Sequence, residues 1–95
     1  MPQHYFSSTT PTCATVGITS AIALAAKSGR AWLLLTAHPS NTGIIYINLG
    51  GTAIIDSGKP LEAGDSLLID GEAQMAWAIH AIADTAAQKL CILEA

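Results

Sequence analysis

The chain has 95 residues and a formal net charge of −3, and only 12% of its residues are Asp, Glu, Lys or Arg, about half the usual ~25% share. Apolar residues make up 51% before glycine is counted, more than a core of this size can hide behind an ordinary wet surface. The four fixed cations, Lys27, Arg30, Lys59 and Lys89, are scattered, which argues against nucleic acid as a direct partner, and no apolar run approaches the ~18–20 residues needed to cross a bilayer.

Residues 1–12 are polar, carry Pro2 and Pro11 and lack periodicity, so they read as an extended N-terminal arm with Tyr5 and Phe6 as its anchors. No signal peptide is expected in them, because no basic segment precedes an apolar one. Residues 13–95 read as one domain of short strands separated by turn clusters. Cys13–Val16 and Ser20–Ala26 are strand candidates on either side of Gly17, followed by the polar turn Lys27-Ser-Gly-Arg30. Ala31–His38 is a strand with Trp32, Leu34 and Thr36 on one face and Leu33, Leu35 and Ala37 on the other.

After the turn Pro39–Gly43, Ile44–Leu49 is the clearest strand of the chain. Ile45, Ile47 and Leu49 share a face, and Tyr46 and Asn48 point the other way. Gly50-Gly51 ends it, and Ala53–Ile55 is expected as a short edge piece. Asp56–Pro60 and Glu62–Asp65 read as turns, and Ser66–Asp70 as a strand with Leu67 and Ile69 on one face. Five of the seven acids (Asp56, Glu62, Asp65, Asp70 and Glu72) fall between residues 56 and 72, which reads as a solvated loop region or, as the alternative, a docking site for a basic partner surface.

Residues 72–87 fit two periods. Met75, Ile79 and Ile82 suit a helix, whereas Met75, Trp77 and Ile79 suit a strand. A strand is expected, because strands flank the segment at 8–12-residue spacing. Asp84–Gln88 then forms a hairpin loop and Lys89–Leu93 the last strand. The fold expected is all-β: a small antiparallel β-sandwich or jelly-roll-like barrel with an extended arm. Strands apolar on both faces imply that their second faces are covered by subunit packing, with closed rotational symmetry the usual form.

The chemistry-bearing residues form no recognisable constellation. His4, His38 and His80 lack the spacing that would bring imidazoles to one metal, and there is no Gly-x-Ser-x-Gly elbow, Walker or GxGxxG pattern. No cofactor and no enzymatic activity are expected. Cys13 and Cys91 read as buried free thiols, and a disulfide between them requires the first and last strands to pair. Trp32 and Trp77 suggest either core and interface packing or, as an alternative, a carbohydrate-stacking surface.

The order of blocks carries a resemblance. The run Gly29-Arg-Ala-Trp-Leu-Leu-Leu35 is followed by Ile45-Tyr-Ile-Asn-Leu-Gly-Gly-Thr-Ala53 and Lys59-Pro-Leu-Glu-Ala-Gly-Asp-Ser-Leu-Leu68. Then come Ala78-Ile-His-Ala-Ile82 and Lys89-Leu-Cys-Ile-Leu-Glu94. Together they resemble small structural proteins of tailed bacteriophages over residues 14–95, although each block alone is turn grammar. The chain departs from that pattern at Thr36-Ala37-His38, where a polar Asn-rich turn entry is usual, and at Ala63, where Pro is common.

The resemblance implies a virion component, assembled in the host cytoplasm. Its role would be that of a capsid decoration (cement) protein, a homotrimer binding the major capsid protein, with no catalytic residues. A tail, fibre-base or head–tail connector module is the alternative in the same class. Tyr5, Phe6, Trp32, Tyr46 and Trp77 are the expected subunit or capsid contacts.

Overall fold

Alternation of apolar and polar side chains builds eight strands into two facing sheets. The computed structural model describes residues 10–26, 32–69 and 77–94. The strands are β1 (Thr10–Val16), β2 (Ala21–Leu24), β3 (Leu33–Ala37), β4 (Ile45–Leu49), β5 (Lys59–Leu61), β6 (Ser66–Ile69), β7 (Ile79–Ala83) and β8 (Gln88–Glu94). There is no helix among the described residues. One sheet has the order β1-β8-β3-β6 and the other β2-β7-β4-β5, with every pairing antiparallel.

The first strand pairs with the last, the second with the second-last, and so inward to β4 with β5. The chain is therefore one long hairpin, bent at the β4–β5 connection and rolled until β3 meets β8 and β4 meets β7. That connectivity is the eight-stranded jelly roll, one of the two forms expected from the sequence.

The core lies between the sheets. Leu33, Leu35 and Ala37 of β3 face Ile45 and Ile47 of β4, with Leu61, Ile79, Leu90 and Ile92 completing the buried cluster. Each aliphatic side chain so buried contributes about 1.5–3 kcal/mol gross. β-Branched and leucine side chains at every second position serve the pleat directly, because successive residues point to opposite faces. The faces assigned to Leu33, Leu35, Ala37, Ile45, Ile47, Leu67 and Ile69 are those observed.

Several expectations are corrected. β1 starts at Thr10, inside the stretch read as an arm, with Pro11 opposite Leu93 and Thr12 opposite Ile92. An edge strand tolerates proline because one side of its backbone needs no partner. Residues 1–9, with Tyr5 and Phe6, lie outside the described residues. Lys59–Leu61 is a strand rather than part of a turn. Its Leu61 is fully buried opposite Ile45, and Pro60 again sits on an edge. Ala53–Ile55 is not a strand. Residues 79–83 are strand, as chosen over helix, whereas Trp77 precedes β7 instead of sharing its inward face. Residues 72–76 are not described. The last strand begins at Gln88, one residue before the boundary expected.

The β7–β8 turn contains a residue under strain. Ala87 has φ +62°, the left-handed region that costs a residue with a Cβ about 1 kcal/mol or more. Ala87→Gly is therefore expected to stabilise the domain by ~1 kcal/mol, read as a higher urea midpoint at unchanged slope. A lower midpoint would mean that the turn relaxes without cost in the wild type.

Candidate interaction face

The two sheets treat their outer faces differently. On the outer face of the β2-β7-β4-β5 sheet, Tyr46 and Ile82 stand side by side, and segment 52–56 folds back over them. Ala53 is only 3% exposed and packs on both, flanked by Ile44 and Ile55. Three polar contacts pin the segment. The Asn48 amide donates to the Thr52 carbonyl at 2.9 Å, the Ala53 N–H donates to Ser20 Oγ at 2.9 Å, and the Tyr46 hydroxyl donates to Asp56 Oδ1 at 2.9 Å. Subunit packing was expected to cover such a second face, but here the chain covers part of it itself.

Tyr46 is consequently 8% exposed and lies inside the subunit, not at a contact surface as expected. Its bond to the Asp56 carboxylate, and then its burial, push the hydroxyl above the usual tyrosine range, since both favour the neutral phenol. The contribution of this contact to stability is complete below pH about 10 and is lost as pH rises through the folded-state value. Spectrophotometric titration of wild type against Tyr46→Phe isolates this ionisation. A midpoint above about 10 is expected, and the midpoint of a free tyrosine would show that the Asp56 contact is not made.

The β1-β8-β3-β6 sheet is different. Among the described residues no second layer of buried side chains forms outside it. The register sets its outward side chains in rows. Pro11, Leu93, Leu34 and Leu68 form an aliphatic row across all four strands, and Leu68 is 58% exposed. The next row is Cys13, Cys91, Thr36 and Ser66, with the Thr36 and Ser66 hydroxyls 3.1 Å apart. Thr15 and Lys89 follow. Lys89 is the one charge in these rows.

The expected contact aromatics do not converge on this face. Trp32 is half-buried and packs against the core just ahead of β3. Trp77 is 45% exposed, and its ring lies over Gly50 beside Leu49. Ile22 and Ile54 are further exposed apolar side chains on the opposite side of the sandwich. The outer leucines and the cysteine pair carried no aromatic signal. Only the pairing of β1, β8, β3 and β6, which is set by long-range register, could reveal them.

The polar side chains mostly serve the loops. Asn41 bridges to β8, with Nδ2 donating to the Lys89 carbonyl and Oδ1 accepting from the Lys89 N–H, both at 2.9 Å. His38 Nδ1 accepts from the Ser40 N–H at 3.0 Å and lies 2.7 Å from Ser40 Oγ. His80 stands between Ile22 and Asn48 in the ladder. Among the described residues no group of three or more His, Cys, Asp or Glu gathers in metal-binding geometry, and Asp56, Glu62 and Asp65 lie exposed in turns. No helix of the described residues is long and apolar enough to cross a membrane. No protein-family profile matches the chain, and no curated protein or solved structure shows significant similarity to it.

Proposed function

We propose that this protein is a structural component of a tailed-phage virion. In this reading it is a capsid decoration protein that docks on the major capsid protein through the outer face of the β1-β8-β3-β6 sheet. The observation that carries the reading is that face: four strands wide, with an unbroken aliphatic row and, among the described residues of its rows, a single charge. The sequence blocks that resemble phage structural proteins support it, as does a composition short of charge.

Magnitudes decide how such a face would be used. Four strands ~4.8 Å apart, each about five residues long, offer a surface of about 300 Å². That is less than half of the ~800 Å² one partner contributes to a standard interface. At ~25 cal/mol per Å² it supplies about 8 kcal/mol of gross attraction, within the ~4–15 kcal/mol that association itself costs. One face docked alone is weak. Attachment through several linked copies is strong, which favours a homotrimer whose three faces engage the shell together.

The test pairs binding with copy number. Leu68 is exposed, so Leu68→Lys is expected to leave the melting temperature unchanged and to weaken binding to preassembled expanded shells at least ~10-fold. Undiminished binding would remove this face from the proposal. Copy number measured by mass spectrometry of purified particles should be comparable with that of the major capsid protein. A few copies per particle would turn the assignment to a tail or connector module, and none would end the virion reading.

A further inference from the structure

The β1–β8 ladder sets Cys13 directly opposite Cys91. Val16, Leu90 and Ile92, at the opposite parity of the two strands, turn into the core, so both thiols project from the outer face of the same sheet. Opposed residues of an antiparallel pair have Cα atoms ~4.5–5.5 Å apart, inside the ~4.4–6.8 Å span that a disulfide requires. Both cysteines are free but not buried as expected: Cys13 is exposed and Cys91 half-buried. β1 is the edge strand of its sheet and is held in that sheet by β8 alone.

We propose that Cys13 and Cys91 form a modification site, a dithiol that low-molecular-weight disulfides such as oxidised glutathione convert into a cross-strand disulfide locking β1 to β8. Cys13, the accessible thiol, enters first. Its thiolate attacks one sulfur of the glutathione disulfide, forming a mixed disulfide at Cys13 and expelling one glutathione thiolate. The Cys91 thiolate then attacks Cys13 Sγ, forming the Cys13–Cys91 bond and expelling the second. The protein loses two electrons and two protons, and one glutathione disulfide becomes two glutathione thiols.

The Cys91 thiol is held above its usual range by its hydrogen bond with the Cys13 thiol and by burial, against a lowering influence from Lys89. Cys91 is therefore suited to the second, intramolecular step, where proximity offsets a small thiolate fraction. The closed loop would span nearly the whole chain, from first strand to last, where restriction of the unfolded state is largest.

The experiment uses the isolated full chain, so its result is independent of docking on any shell. Incubation with oxidised glutathione is expected to remove both free thiols, leave no glutathione on the protein, and lower the intact mass by the pair of thiol hydrogens. Migration on a non-reducing gel should remain monomeric. The melting temperature should rise by ~10 °C or more, and dithiothreitol should reverse the change. Cys91→Ser should instead keep one glutathione at Cys13 and show no such rise. A wild-type chain that stays reduced, retains glutathione or dimerises through sulfur would overturn the site. A disulfide that leaves the melting temperature unchanged would overturn the lock.

Discussion

Gln88→Ala is expected to cost the domain ~3–4 kcal/mol. Gln88 is 4% exposed and opens β8 from inside the sandwich. Its Oε1 accepts from the N–H groups of Thr42 and Gly43 at 2.8 and 2.9 Å, and its Nε2 donates to the Ala86 carbonyl at 2.9 Å and to Thr42 Oγ1 at 3.4 Å. One amide thereby satisfies the link that carries the chain from β3 in one sheet to β4 in the other, and the β7–β8 turn as well. Alanine would leave two backbone donors without acceptors, at about 1–3 kcal/mol each when shielded from water, and a void where the side chain lay. A domain of this length is stable by only ~5–14 kcal/mol in all, so the variant should show a urea midpoint lowered by a quarter or more with its slope unchanged. A loss below ~1 kcal/mol would mean that water replaces the amide at no cost, and that the 39–44 link is held by Asn41 and Asp84 instead.

Gln88 also marks where sequence reasoning stops. Beside Asp84-Thr-Ala-Ala it looks like the last residue of a polar loop, because the backbone donors that its Oε1 serves are more than forty positions away. β3 and β4 were legible because their alternation is local and strong, and Pro39–Gly43 and Gly50-Gly51 punctuate them. β5 was not. Three residues containing a proline become a strand only because β4 is there to pair with them. Thr10–Thr12 was similarly read as arm, since its strand character rests on pairing with the far end of the chain.

Tyr46 shows the converse failure. Its outward parity was read correctly, but parity cannot show that segment 52–56 returns to cover it; the apolar pair Ala53 and Ile55 was the available signal. The outer face of the β1-β8-β3-β6 sheet has the same character. Leu34, Leu68 and Leu93 are ordinary strand leucines one at a time, and become a row only through the register of three strands.

Gly58→Ala should be the most damaging single-methyl change in the β4–β5 connection. Gly58 has φ +80°, and a Cβ placed there would lie 2.5 Å from the Ile47 carbonyl oxygen. Backbone strain alone costs about 1–2 kcal/mol. The contact adds to it, because Ile47 cannot retreat: it is paired to Lys59 on one side and to Ala81 on the other. The cheaper escape is for β5 to move away, which draws the fully buried Leu61 out of the core. A total loss of ~3 kcal/mol or more is expected, lowering the melting temperature by ~15 °C or more in a domain of this size. Gly64→Ala separates the two causes. Gly64 has a similar φ of +86°, but nothing lies within 4 Å of the added methyl, so that variant carries strain alone and should lose only ~1–2 kcal/mol. Equal losses in the two variants would show that β5 yields freely, and that the rolled hairpin is not anchored at its bend.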